Sequence, residues 1–348
     1  MKRSHYKTYV GADLHKIFTQ FNAQTPQGKE LCSRRVENTP EAIIAFLATL
    51  PGPVQVAVEA TANAAWFCDV VRAAGHDTLM AHPRETRAKS GTREKNDRFD
   101  AKMLATLLRG NLIEKRAWHA PEDVRRARER LRHMALETRT LVAHKNKAHS
   151  ILIRLNIRSP YRNPFCKKGQ AFLDELDLAA EYRTTLERCR ATIAQQEAFL
   201  AEDVAWCERR AKEIERVWLL TTMPGIAAQL ATLIHYETGD VERFHSADAY
   251  VNYIGLVPGK EQSSGHIRNI GITKEGSGWL RWAFVEAAQS ARYGRGRLGR
   301  FYWRQLIETK NHGRAVTATA REMARIAYHI MKRGQGYYEP LPQKHNAA

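Results

Sequence analysis

The chain has no apolar run long enough to span a bilayer. Its basic start, Met1-Lys-Arg-Ser-His-Tyr-Lys7, is followed by no apolar signal segment, which points to a cytoplasmic protein rather than a membrane or secreted one. Its five cysteines (Cys32, Cys68, Cys166, Cys189, Cys207) form no CxxC pair, so a disulfide framework and a cysteine-based zinc site are both disfavoured. No Gly-x4-Gly-Lys-Ser/Thr phosphate loop occurs, and an ATP-driven mechanism has no support. Acids are scarce: 37 Asp and Glu stand against 55 Lys and Arg, a net charge of +18. Such an excess attracts a polyanion whatever its sequence, and nucleic acid is the partner class it fits best.

What is present is enough for two or three domains: 348 residues, 43% of them hydrophobic. Tyr9–Asp13, Phe18–Ala23 and Leu31–Val36 alternate apolar and polar positions as successive strands do. Thr39-Pro40 opens a helix to about Leu50, with Thr39 as N-cap. Val54–Val58 reads as a buried strand ending at Glu59, followed by a helix over 64–74, a strand over 78–81 and a helix opened by Lys95-Asn-Asp97. Strands alternating with helices after a meander predict a mixed α/β domain over 1–118. From Pro121 the spacing turns to three and four. One heptad seam runs through Val124, Ala127, Leu131, Met134, Leu141, Ala148, Leu152 and Leu155, and a second from Tyr182 to Trp218. This predicts long coiled-coil helices over 119–218, paired with each other or with another subunit. Arg125, Arg126, Arg128, Arg130 and Arg132 load the first helix with charge, either as a solvated face or as a nucleic-acid track. A mainly helical domain over 219–340 follows, with Pro224-Gly225 between two apolar stretches in helix-hairpin-helix style, and helices from Asp240 to Tyr253, Trp279 to Ala291 and Ala315 to Arg333.

Two groups of residues carry chemistry. In the glycine-rich basic stretch Gly255–Arg281, Ser263 and Ser264 precede Gly265, among Lys260, Arg268, Lys274 and Arg281. A serine set there is suited to meeting a phosphate; the plain alternative is a polar hairpin loop with solvated serines. The second group is Asp13, Glu59, Asp97 and Asp100. Asp13 and Glu59 each end a strand, and strands lying side by side would bring both carboxylates to one sheet edge. Asp97 and Asp100, three apart, share a helix face. Taken singly, each has an ordinary role, Asp97 as an N-cap and Asp100 as a partner of the helix dipole. Together they form a set whose mutual repulsion magnesium ions would neutralise, as in two-metal phosphoryl transfer.

These motifs, in this order, resemble the DEDD transposases of the insertion-sequence family numbered one hundred and ten, which act as bridge-RNA-guided recombinases. Gly11-Ala-Asp13, Val58-Glu59-Ala-Thr and Lys95-Asn-Asp97-Arg-Phe-Asp100-Ala resemble that family's RuvC-like (RNase H-like) domain. Tyr253-Ile-Gly-Leu-Val-Pro258, Ser263-Ser264-Gly265, Ile272-Thr-Lys-Glu-Gly276 and Leu280-Arg281 resemble its transposase domain. The resemblance implies that Asp13, Glu59, Asp97 and Asp100 bind Mg2+ (two ions, or Mn2+ in their place). It implies that Ser264, with Ser263 as the alternative, forms a covalent phosphoserine link to DNA. It also implies target and donor DNA duplexes, a structured guide RNA that pairs with both, and dimers assembling into a tetramer. Two positions depart from the family pattern: His266-Ile267 follow Gly265 where a glycine and a lysine are usual, and Asn63 stands where a glycine is common. The competing reading is a junction-resolvase-like, metal-dependent nuclease that uses water as nucleophile.

Overall fold

The computed structural model describes residues 6–83, 86, 96–263 and 266–339. It divides into two compact units, Met1–Pro121 and Glu122–Ala348.

The first unit is built on a six-stranded sheet in the order β3-β2-β1-β4-β5-β6. Its strands are β1 (Thr8–Leu14), β2 (Phe18–Gln24), β3 (Glu30–Glu37), β4 (Val54–Glu59), β5 (Asp77–Ala81) and the two-residue β6 (Arg116–Ala117). The first three form an antiparallel meander, whereas β4 runs parallel to both β1 and β5. Alternation along β1 explains the layering. Val10 and Ala12 enter one core with Ile43, Phe46 and Leu47 of α1 (Pro40–Ala48) and Phe67, Cys68 and Val71 of α2 (Ala64–Ala73). Tyr9 enters the opposite core, with Ala57, Leu79 and Leu104, Leu107 and Leu108 of α3 (Asp97–Arg109). Helix α1 starts where expected: Thr39 Oγ1 accepts a hydrogen bond from the Ala42 amide, 3.2 Å away, and Pro40 occupies the first turn.

One contact fixes where α3 lies. A Cβ on Gly11 would stand 2.0 Å from the carbonyl oxygen of Ala101 and 2.5 Å from the amide nitrogen of Ala105. Only glycine lets the helix backbone come this close to β1.

The second unit begins with two long helices, α4 (Glu122–Arg154) and α6 (Ala180–Glu213), joined through the short α5 (Lys167–Glu175). They run antiparallel: Lys145 reaches Glu197 and Arg130 reaches Asp203, so partners follow opposite orders along the two helices. The expected coiled coil is not seen. Buried apolar residues gather at the two ends of the pair instead. At the distal end Ala148, Ile151 and Leu152 meet Leu173, Leu186 and Cys189. At the other, Ala127, Leu131 and Cys207 join the core of the C-terminal helices. Between these ends the buried positions are Glu137, Ile193 and Asp203, and the two acids interrupt the apolar seam. The second seam also stops short of Trp218, because α6 ends at Glu213 and Trp218 lies exposed on α7 (Glu215–Thr221).

The arginine row is largely structural. Arg132 makes two hydrogen bonds to the buried Glu237 carboxylate, at 2.8 and 3.1 Å, and Arg128 donates to the carbonyls of Tyr236 and Glu237. Arg130 bonds Asp203 at 2.6 Å. Arg126, by contrast, is exposed and pairs with Glu122 of its own helix, which leaves it the more open to solvent or nucleic acid.

The remaining elements are α8 (Ala228–Thr238), α9 (Ala247–Ile254), the hairpin β7 (Pro258–Ser263) and β8 (His266–Ile272), α10 (Gly278–Ala291), α11 (Arg297–Thr309) and α12 (His312–Arg333). Small residues on α10 and α12 allow close packing around Phe284 and Met323. The Pro224-Gly225 turn between α7 and α8 is present. Gly225 has φ +84°, and a side chain there would meet the carbonyl oxygen of Ala287 at 2.3 Å, so its first role is packing against α10. The helix expected over 240–253 is broken into a short 3-10 turn (Val241–Arg243) and α9, each with its own cap, Asp240 and Ser246.

Candidate functional site

Asp13 is the next-to-last residue of β1, and Glu59 the last of β4. Ala12 pairs with Val58 in the parallel ladder, so the following step sets Asp13 beside Glu59. Both acids therefore lie at the carboxyl ends of adjacent parallel strands, the edge at which open α/β sheets place ligands. Asp97 and Asp100 occupy the first turn of α3, the helix that Gly11 brings against β1. Asp97 is not the N-cap: Asn96 is, with its side-chain oxygen accepting from the Arg98 amide at 3.0 Å. This leaves the Asp97 carboxylate free of capping duty.

The structure brings three ligand-type side chains together here: Asp13, Asp97 and His15. His15 Nε2 lies 3.1 Å from Asp13 Oδ2 and 3.4 Å from Asp97 Oδ2. Glu59 and Asp100 stand outside this tight trio but beside it. The buried hydroxyl of Thr86 donates to Glu59 Oε1 and orients that carboxylate. Asp100 is near enough to act on Asp13. Burial pushes the Asp13 carboxyl above its usual range; His15 opposes the rise, while the charges of Asp100 and Asp97 add to it. Ionised Asp13 thus lacks full compensation in the protein alone. A divalent cation would supply it, and the donor set of carboxylate oxygens suits Mg2+ or Mn2+.

His15 was not among the residues expected from sequence. Its signal was the Asp13-Leu-His15 spacing: residues two apart along an extended strand end face the same side. Asn63, the departure from the family glycine, also finds an explanation. It stands at the start of α2 but does not cap it with its side chain. Its Nδ2 instead donates to the His15 carbonyl at 3.0 Å.

The serine stretch lies in the second unit. It forms the antiparallel hairpin β7–β8, in which Ser263 pairs with His266; Ser264 and Gly265 fall outside the described residues. The flanking motifs form the base of that hairpin. The Ser277 and Thr273 amides donate to the carbonyls of Tyr253 and Val257, at 2.9 and 3.1 Å. Gly255 (φ +77°) and Gly276 (φ +102°) lie so close to Glu275 and Tyr253 that a Cβ would overlap backbone oxygens at 2.4 and 1.9 Å. Arg281 is tied into this base by donating to the Ile254 carbonyl at 3.1 Å. Lys274 differs: it is exposed and lines a cleft of about 700 Å³ together with Thr309, Arg314, Thr317 and Arg321.

Among the described residues, no helix is long and apolar enough to cross a membrane. Two family models match separate stretches of the chain. Residues 10–157 match the family model for the DEDD transposases of IS110 elements, and residues 218–303 match the model described as "Transposase IS116/IS110/IS902 family". The chain is 28% identical over 339 residues to the transposase for insertion sequence element IS1328 of Yersinia enterocolitica, a match covering 94% of this chain and 97% of that protein. It is 27% identical over 226 residues to y4qE of Sinorhizobium fredii, a protein with a provisional transposase name, covering 64% of this chain and 55% of that one. It is 25% identical over 124 residues to an uncharacterized 43.6 kDa protein of insertion element IS110 from Streptomyces coelicolor, covering 36% and 31%. With family models matching both units, and a relative aligned along nearly its whole length, the chain belongs to the IS110 family of DEDD transposases.

Proposed function

We propose that this protein cleaves and rejoins DNA strands during transposition, using Asp13, Glu59, Asp97 and Asp100 as a divalent-metal site and Ser264 as nucleophile. The observation that carries the reading is the convergence of acids at one sheet edge: Asp13 and Glu59 end adjacent parallel strands, and the first turn of α3 adds Asp97 and Asp100. The strand order and the helix bearing two acids fit an RNase H/RuvC-like domain. Mg2+ or Mn2+ held there supplies positive charge against the oxygens of the reacting phosphate.

The protein's own groups have separable tasks. The Ser264 oxygen forms a bond to phosphorus while the bond from phosphorus to a sugar oxygen breaks, leaving a phosphoserine ester. The reverse displacement by another sugar oxygen rejoins DNA. Because the ester keeps the phosphodiester energy, no ATP is needed. A serine hydroxyl is a weak nucleophile at neutral pH and needs help losing its proton. Lys274, Arg314 and Arg321 offer positive charge to the DNA backbone in the cleft below the hairpin. The division into a metal-binding part (1–118), a connecting helical part (119–218) and a serine part (219–340) follows these tasks. In this reading a structured bridge RNA selects target and donor DNA by base pairing, and dimers assemble into a tetramer; the net charge of +18 is in keeping with two nucleic-acid partners.

The test is strand cleavage by the full chain, with its element's ends and flanking RNA supplied. Glu59→Gln and Asp97→Asn are expected to lower cleavage by at least about a hundredfold while leaving DNA binding intact. Wild-type cleavage by either variant rejects the metal site.

A further inference from the structure

His15 is set into the acidic site more firmly than a surface-loop histidine needs to be. It follows β1 directly, in the three-residue connection to β2. Its backbone is held from three sides. The carbonyl accepts from Asn38 Nδ2 at 2.7 Å and from Asn63 Nδ2 at 3.0 Å, and the amide donates to the Phe18 carbonyl at 3.0 Å. Its ring stacks on Phe18, with centroids 4.5 Å apart and planes 27° apart, and the Arg35 guanidinium lies 3.4 Å from the Phe18 centroid. Anchors from three separate segments of the chain thus direct Nε2 between two carboxylates.

Two roles fit that placement. Nε2 can carry a proton and hydrogen-bond the acids, or it can present its lone pair to an ion that the acids share. The 3.1 Å contact with Asp13 is a hydrogen bond in the ion-free protein, and the same spacing also fits the second role. The nitrogen is 3.1 and 3.4 Å from one oxygen of each acid, and all three ligand atoms lie within 4.8 Å of one another. Neighbouring ligands around an octahedral ion with bonds of about 2.1 Å stand about 3 Å apart. The nitrogen bonds Asp13 and also lies within reach of Asp97, so one ion could take all three as ligands.

We propose that His15 Nε2 is a ligand of the ion bound by Asp13 and Asp97, and that it makes this position select Mn2+ over Mg2+. The inference rests on the metal-site reading above. Imidazole nitrogen suits first-row transition metals, whereas Mg2+ takes oxygen donors and keeps several waters. A site of two carboxylates and an imidazole therefore binds Mn2+ more tightly than Mg2+, because an imidazole donor favours the transition ion of the two. Asn63 and Asn38 act as positioning residues, because they hold the backbone from which the ring projects.

The test uses the full chain, stripped of metal, and Mn2+ alone as probe. Binding is read from the loss of the free Mn2+ electron paramagnetic resonance signal, and the ligand type from hyperfine coupling of bound Mn2+ to 14N. The wild type is expected to show an imidazole nitrogen coupling. His15→Gln, which keeps a polar side chain, is expected to lose the coupling and to bind Mn2+ at least about tenfold more weakly, with the Mg2+ dissociation constant changed by less than about threefold. A folded His15→Gln protein with unchanged Mn2+ affinity, or a wild type without nitrogen coupling, overturns the proposal. Asp13→Asn separates the two levels. If Asp13→Asn lowers Mn2+ binding while His15→Gln does not, only the histidine proposal fails. If neither variant alters Mn2+ binding, the acidic site itself fails with it.

Discussion

Gly11→Ala is the smallest change that separates the acids without touching one of them. The added Cβ would meet three atoms of α3: the Ala101 oxygen at 2.0 Å, the Ala105 nitrogen at 2.5 Å and Leu104 Cβ at 2.9 Å. Two of these are backbone, so no rotamer change relieves the overlap. Moving the first contact out to 3.0 Å requires the helix to retreat by about 1 Å. Asp100 directly precedes Ala101, and Asp97 lies one turn earlier, so the retreat carries both acids away from Asp13 and His15. Overpacking of this kind costs roughly 1–3 kcal/mol. A misplacement of about 1 Å at a reacting centre costs on the order of a hundredfold in rate. The assay pairs a thermal melt with DNA-strand cleavage measured well below the melting midpoint, where the variant is folded. A midpoint lowered by several degrees, together with cleavage reduced about a hundredfold, is expected. A variant with wild-type melting and wild-type cleavage would refute the claim that the Gly11 contact positions these acids. Lowered stability with normal cleavage would refute the need for close geometry.

Three further outcomes follow from the second unit and from its buried charges. Glu237→Ala removes the buried carboxylate that Arg132 holds, while Arg128 keeps its two backbone carbonyls, and is expected to destabilise the protein by about 1–3 kcal/mol in urea titration. Burial, with help from Arg216, lowers the His235 pKa from 6.5 to about 4. Its neutral ring therefore contributes stability that is fully present above about pH 6.5 and is lost as pH falls toward about 4, roughly 3 kcal/mol in all. His235→Gln should show a correspondingly shallower loss of stability across that window in pH-dependent unfolding. Gly276→Ala forces a side chain into the Tyr253 carbonyl at a positive φ and should open the base of the β7–β8 hairpin. Hydrogen exchange at the Ser277 and Thr273 amides, which bond across that base, reports it; unchanged protection would contradict the role given to the glycine.

Much of the first unit was legible because its signals are local. Period-two alternation marked β1, β2 and β3, and Thr39-Pro40 marked the start of α1. The acids were legible because each ends or begins an element. His15 was harder to see, since its meaning depends on which strand lies beside β1 and on side chains from Asn38 and Asn63. The coiled coil was over-read for a related reason. Three-four spacing identifies long helices, but it does not reveal that Glu137 and Asp203 interrupt the apolar seam, or that the two ends join different cores. The arginine row looked like a nucleic-acid track because Glu237, the partner of Arg132, lies more than a hundred residues away. Helix α11 was missed although Leu298, Tyr302 and Leu306 recur at four-residue spacing, because it follows directly on Gly294-Arg-Gly296, which reads as loop. The motifs around the serines proved to be structural on both sides: Gly255 and Gly276 close the base of the hairpin whose first strand ends at Ser263.

The central claim is that a serine in one unit and a carboxylate metal site in the other serve a single strand-transfer reaction. Trapping of a covalent complex tests it most directly. End-labelled element DNA is incubated with the full chain, Mn2+ or Mg2+ and the flanking RNA, then denatured in detergent and resolved by size. The account predicts a labelled, protease-sensitive adduct for the wild type, with the DNA mapped to Ser264 by peptide mass, and no adduct from Ser264→Ala or from Asp97→Asn. An adduct retained by Ser264→Ala and Ser263→Ala alike, or strand cleavage by both with no adduct at all, would contradict it and favour a water-using nuclease.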